Sequence, residues 1–183
     1  MPSLQRRPAL AAVLLVCTLS CTPPASAPEP VGGDAAVSAL HHEWKDKIDV
    51  ITAAATELTE AEYAYRPVAT VRSFGQIIGH VAGTQNHICA IVLGDPAPAE
   101  DVIEKTVTTK AALVEALNAS TAYCARAYAI ASASTTGIVT LYYTKFTRLG
   151  ALTLNAVHDG EHYGNIVTYM RMMGKVPPSS RKK

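Results

Sequence analysis

The sequence predicts an all-α protein, an antiparallel four-helix bundle or its variant with a longer crossover. Two observations carry that expectation. Apolar residues recur every three or four positions through four long stretches, the period of a helix with one buried face. The stretches are separated by turn and breaker residues, among them Gly94-Asp95-Pro96 and Gly174 followed by Pro177-Pro178.

The first helix is expected over about Ala35–Thr59, with Val37, Leu40, Trp44, Ile48, Ile51, Ala55 and Leu58 forming its apolar stripe. Glu60 to Thr70 connects, since Arg66 precedes Pro67 and is biased away from helix. Ser73 is a good N-cap with Gln76 three residues on, so the second helix opens there and runs to about Leu93. Ala97 to Val107 reads as loop. Thr108 or Thr109 caps the third helix, which continues to about Ala131 with Leu113, Leu117, Ser120, Cys124, Ala127 and Ala131 on its inner face. Gly137 to Tyr143 is β-prone, but a single strand has no partner here, so Ser132 to Thr144 is read as an irregular connector. The fourth helix spans about Lys145–Met173, with Gly174 at C′.

Ahead of the helices lies a targeting segment. Arg6 and Arg7 precede an apolar run from Ala9 to Leu19, too short to span a bilayer comfortably. Two processing patterns are legible, a lipoprotein-like box ending at Cys21 and the small-x-small run Ala25-Ser26-Ala27. The reading favours lipidation of Cys21 and hence attachment to a membrane. The organisation is then a signal segment at 1–21, a Pro- and Ala-rich tether at 22–34 and one helical domain at 35–180. Without residues 1–21 the formal charge moves from +1 to −1, which gives no concentrated basic face and excludes nucleic-acid binding as an expectation. Export permits a disulfide, yet Cys89 and Cys124 fall on apolar helical stretches and are read first as small buried residues.

The chemistry concentrates in histidines. His158 and His162 are four apart on one helix, so both rings share a face and can hold one metal ion, though a stacked surface pair has the same spacing. His80 lies mid-way along the second helix among Ile77, Ile78 and Val81, where a lone histidine is ordinarily a core residue. The neighbouring glycines shift that balance. Gly75, Gly79 and Gly83, and then Gly160 and Gly164, are spaced by four, and each costs about 1 kcal/mol in a helix. Close approach of helix backbones beside a site would account for them. Three imidazoles suit Zn, Ni, Fe or Co better than Mg or Ca and leave coordination positions open. Glu161 could act as a base and Asn165 could orient a substrate or water. His87 is about two turns beyond His80, and is read as a polar core residue or pocket lining. His41 and His42 read as surface residues, Tyr163, Tyr169 and the Met170–Met173 cluster as packing. Arg72, Arg148 and Arg171 are the cations that could reach an acidic substrate.

The run from His158-Asp-Gly-Glu-His162 through Tyr-Gly-Asn to Gly174-Lys-Val-Pro-Pro178 resembles the last helix of the DinB-like family of four-helix-bundle metalloproteins. The stretch Tyr65-Arg66-Pro67 through Arg72-Ser73-Phe74 to His80 resembles that family's entry into its second helix. The likeness covers about residues 35 to 180. It implies a divalent metal on His80, His158 and His162, usually nickel or zinc, and often a homodimer. Relatives include thiol-dependent S-transferases and isomerases that act in the cytoplasm, which sits badly with an exported chain. The expectation is therefore an exported metal-dependent enzyme, a hydrolase or thiol transferase acting on a small molecule of unknown identity. The alternative is a non-catalytic cell-envelope metal-binding or stress protein.

Overall fold

The computed structural model describes residues 33–130 and 132–181. The span 1–21 read as a signal segment, with Cys21, most of the span read as tether and Ala131 lie outside the described residues. Helix α1 spans Gly33–Glu57, so it begins two residues inside the span read as tether. A short 3₁₀ turn at Ala61–Ala64 leads to α2, Phe74–Leu93. Helix α3, Val102–Thr106, occupies part of the span read as loop. Helix α4 is Lys110–Tyr128, strands β1 and β2 are Ile138–Leu141 and Thr144–Thr147, and α5 is Arg148–Met172.

The caps follow the sequence. The Ser73 hydroxyl accepts from Gln76 N at 3.2 Å while Gln76 Oε1 accepts from Ser73 N at 2.9 Å, a closed capping box. Thr109 caps α4 through Ala112 N. Gly94, at φ 82°, ends α2, and Gly174, at φ 75°, follows α5.

Two expectations are corrected. The connector holds an antiparallel hairpin, registering Ile138 with Thr147 and Leu141 with Thr144. The partner strand, Thr144–Thr147, falls where the sequence predicts the start of the fourth helix, which instead begins at Arg148 with Thr147 as its cap. The turn residues Tyr142 and Tyr143 have φ of 48° and 65°, the backbone of a tight two-residue hairpin turn without its usual Asn-Gly. The second correction concerns Cys89 and Cys124, which form a disulfide between α2 and α4 rather than two free buried thiols.

The bundle is the variant with a long crossover. Helix α2 packs against α4 and α5, and α1 packs against α5 and α4. Gln85 meets Ser120 and Cys89 meets Cys124, so positions advance together and α2 runs parallel to α4. His80 meets His158 while Arg72 meets Tyr169, so α2 runs antiparallel to α5. The chain must therefore climb back along α2 between Gly94 and Thr109, and α3 lies on that return. Gly79 and Gly83 are its bed, while Gly75 faces Tyr63 and Leu113. A Cβ on Gly83 would lie 1.9 Å from the Glu100 carbonyl oxygen and one on Gly79 would lie 2.9 Å from Glu104 Cα. The expected close approach is real at these positions, but to the crossover and not to a bundle helix. Gly160 and Gly164 have open space where a Cβ would sit, so packing within the chain does not explain them.

The core is the expected one. Trp44, Ile48, Ile51, Ala55 and Leu58 of α1 are buried against Ile77, Ile78 and Val81 of α2, Leu113, Leu117 and Ala127 of α4, and Leu152 and Ile166 of α5. Burial of side chains this size contributes about 1.5–3 kcal/mol each for the larger ones. Met170 is in the core, while Met172 is 59% exposed, against the expectation of core filling. Among the described residues no helix is long and apolar enough to cross a membrane.

Candidate metal centre

Antiparallel α2 and α5 bring the three histidines to one point. His80 Nε2 lies 3.0 Å from His158 Nε2, which lies 3.1 Å from His162 Nε2. Three imidazole nitrogens at about 2.0–2.1 Å from a shared ion stand roughly 3 Å from one another, so the group fits a divalent metal. It is the one such cluster of His, Cys, Asp or Glu among the described residues. The group could hold a metal ion.

The opposite ring nitrogens support this reading. His80 Nδ1 faces Glu104 Oε2 at 3.3 Å, and the other Glu104 oxygen accepts from Arg72 Nε at 2.9 Å. His158 Nδ1 faces Asp159 Oδ1 at 3.7 Å. His162 Nδ1 lies 3.4 Å from the Asn165 amide, whose rotation decides whether oxygen or nitrogen faces the ring. Each ring thus has a polar group behind it, the arrangement that fixes the tautomer of a metal-ligating imidazole. The contacts are loose. His80 Nδ1, His158 Nδ1 and both oxygens of the fully buried Asp159 are enclosed without a hydrogen-bond partner. A buried, unpaired carboxylate behind a histidine is costly unless a neighbouring positive charge compensates it.

Burial, with neighbouring charges behind it, disfavours protonation of His80 and His162, and a metal ligand must be neutral. Burial holds His162 down at about 3, with His158, His80 and Arg72 adding to it. Burial also lowers His80, followed by the effects of Arg72 and His158. Burial raises Asp159 to about 6, opposed by His158 and Trp44.

A cleft of about 500 Å³ opens beside His162, with Arg72, Glu104, Glu161, Asn165 and Tyr169 on its walls. Glu161 is exposed there and has no hydrogen-bond partner among the described residues. Asn165 supports the back of His162 as well as facing the cleft. Of the three arginines, only Arg72 reaches the site. Arg148 lies beside Gly137 at the start of α5, and Arg171 donates to Ser180. His87 lines a separate cleft, stacked 5.7 Å from Tyr142 with Nδ1 2.7 Å from the Pro98 carbonyl oxygen. His41 and His42 are on the surface as expected, His41 stacking on Trp44 and Tyr128 and His42 facing Asp46. Tyr163 and Tyr169 pack and also donate, to Ser179 Oγ and the Arg72 carbonyl oxygen.

Glu104 and Asp159 were not among the expected site residues. Asp159 had a signal, because it sits four residues after Asn155 on the inner face of a helix that carries two ligands. Glu104 had none, because its approach depends on the crossover.

Comparison with known proteins agrees with the fold. The model of the DinB superfamily matches residues 39–166. The crystal structure of a DinB-like protein from Bacillus cereus superposes with a TM-score of 0.66 at 15% identity, covering 77% of this chain and 95% of that one. A DinB-like protein from Bacillus subtilis gives 0.53 at 17% identity, covering 79% and 99%. Comparison with curated proteins gives no match.

Proposed function

The chain belongs to the DinB superfamily, and on that premise we propose that it is an exported metalloprotein acting on a small molecule through a divalent ion held by His80, His158 and His162. The observation that carries this is the meeting of three histidine rings, with His158 Nε2 about 3 Å from both His80 Nε2 and His162 Nε2 and the three ligand atoms all within 4.8 Å of one another, each ring backed by a polar group, beside an open cleft. The nitrogen set suits nickel or zinc. When bound, such an ion supplies Lewis acidity toward an oxygen or sulfur of the substrate, which points to a hydrolase or thiol-transfer reaction. Glu161 stands where it can take a proton in the cleft, and Asn165 can donate from its amide. Arg72 spends Nε on Glu104 and its guanidinium makes no other hydrogen bond among the described residues, so its outer edge is available to an anionic group of the substrate. The Cys89–Cys124 bridge supports an oxidising compartment. Attachment through lipidated Cys21 and a homodimer belong to the same reading. A second copy would find space on α5 around exposed Val157 and the open Gly160 and Gly164, and sedimentation reads that directly.

Elemental analysis tests the metal. Wild type equilibrated with Ni(II) or Zn(II) is expected to retain about one ion per chain, and His158→Ala is expected to lose it. Unchanged content in the variant would remove His158 from the site.

One observation favours a second reading, a non-catalytic envelope metal-binding or stress protein. Glu161, the candidate base, is exposed and held by nothing. Acetohydroxamate added to Co(II)-loaded protein separates the two. A shifted visible spectrum means accessible coordination positions, and an unmoved one supports storage or sensing over turnover.

A further inference from the structure

Two of the three ring supports come with the ligands themselves, since Asp159 and Asn165 are on α5 beside His158 and His162. The support of His80 comes from elsewhere. Glu104 belongs to α3, a helix of five residues, too short to hold its shape alone. Its carboxylate is only 14% exposed, with one oxygen toward His80 Nδ1 and the other gripped by Arg72. What puts it there is the bed on α2. The Glu100 carbonyl and the Glu104 backbone occupy the space of the absent Gly83 and Gly79 side chains. Helix glycines cost stability, roughly 1 kcal/mol each, and here the compensation is the seating of a carboxylate behind a ligand.

We infer that Glu104 is a positioning residue for His80, and that the Gly79–Gly83 bed of α2 acts on the metal centre by delivering it. This rests on the three-histidine reading above. Seated, Glu104 holds its carboxylate 3.3 Å behind His80 Nδ1, where its charge favours the proton on Nδ1 and leaves the Nε2 lone pair for the ion. Displaced, it frees the ring to turn and to take the other tautomer. The metal site is then controlled from outside the four-helix core, by how well the crossover docks.

The test compares wild type, Glu104→Ala, Glu104→Gln, Gly83→Ala and the Gly83→Ala/Glu104→Ala double variant. Ni(II) affinity is read by chelator competition, the Co(II) visible spectrum reports ligand geometry, and urea midpoints of the metal-free proteins control for stability. Glu104→Ala is expected to weaken Ni(II) binding about 10- to 100-fold and to shift the Co(II) bands. Glu104→Gln, which keeps an acceptor oxygen, should recover part of both. Gly83→Ala should reproduce the loss, and adding Glu104→Ala to it should cost less than Glu104→Ala alone. Lys105→Ala, on the same turn with its ammonium held by Asp101 and only a weaker charge effect from Glu104, should leave affinity within twofold of wild type. Affinity within twofold of wild type and an unmoved spectrum in Glu104→Ala would overturn the inference. If Gly83→Ala does not fold, the Glu104 pair decides. If wild type binds no metal, the three-histidine reading fails by itself. The ¹⁵N shifts of His80 in metal-free protein then decide the positioning role, which falls if Glu104→Ala leaves its tautomer unchanged.

Discussion

Asp159 and His162 lie less than a turn apart on α5, and burial drives them in opposite directions. His162 is lowered from 6.5 to about 3, by burial first and then by His158, His80 and Arg72. His80 is lowered too, chiefly by burial. Such groups add stability above the unfolded pKa and lose it as pH falls, here through the range from about 6.5 to 3. Asp159 is raised from 3.8 to about 6, again by burial first. Its contribution is fully present below 3.8 and is lost as pH rises through 6. The two largely offset between pH 4 and 6. In metal-free protein Asp159→Asn is therefore expected to lose stability more steeply on acidification, by close to one proton or about 1.4 kcal/mol per pH unit. Urea unfolding from pH 4 to 7 measures it, and parallel profiles for variant and wild type would refute it. At this scale the ligands were legible, because a spacing of four and a histidine flanked by glycines are visible in the chain. Their supports were less so. Asp159 looked like one more acid beside a histidine, and nothing in the sequence says that α3 folds back onto α2.

The hairpin shows how an element escapes a sequence reading. Gly137 to Tyr143 has strand character, but Tyr142-Tyr143 carries none of the Asn or Gly that marks a two-residue turn. With no turn signal, nothing in the chain separates Lys145–Thr147 from the helix behind it. Both tyrosines pay for left-handed backbone, of order 1–2 kcal/mol per residue, and they are compensated differently. Tyr142 stacks on His87 and donates to Glu100 Oε2 at 2.5 Å. Tyr143, at φ 65°, is fully exposed. Tyr143→Gly is accordingly expected to stabilise the protein by about 0.5–1 kcal/mol, the relief of strain less the entropy of glycine. Tyr142→Gly is expected to destabilise it, because the stacking and the hydrogen bond go with the ring. Thermal melts of the two variants at one pH check the opposite signs, and a shift in the same direction for both would show that the turn is not strained as described.

Across the whole molecule, the four amphipathic stretches and their ends were readable, but the order in which they pack was not. Periodicity shows which face of a helix is buried and is silent on its neighbours. Parallel α2 and α4 need a return segment, and Cys89–Cys124 fastens the two helices at the end where that segment begins. The bridge closes a loop with a sequence separation of 35, which contains the whole crossover and therefore Glu104. Closing a loop of that length removes unfolded-state entropy equivalent to about 3–4 kcal/mol at 25 °C. Reduction should lower the unfolding free energy of metal-free protein by about that much, read by urea titration with and without dithiothreitol, with thiol assays confirming the redox state. Saturating Ni(II) should restore part of the loss, since an ion that binds only the native state stabilises it by mass action. A reduced protein as stable as the oxidised one would mean that the α2–α4 packing, and not the bridge, holds the crossover in place.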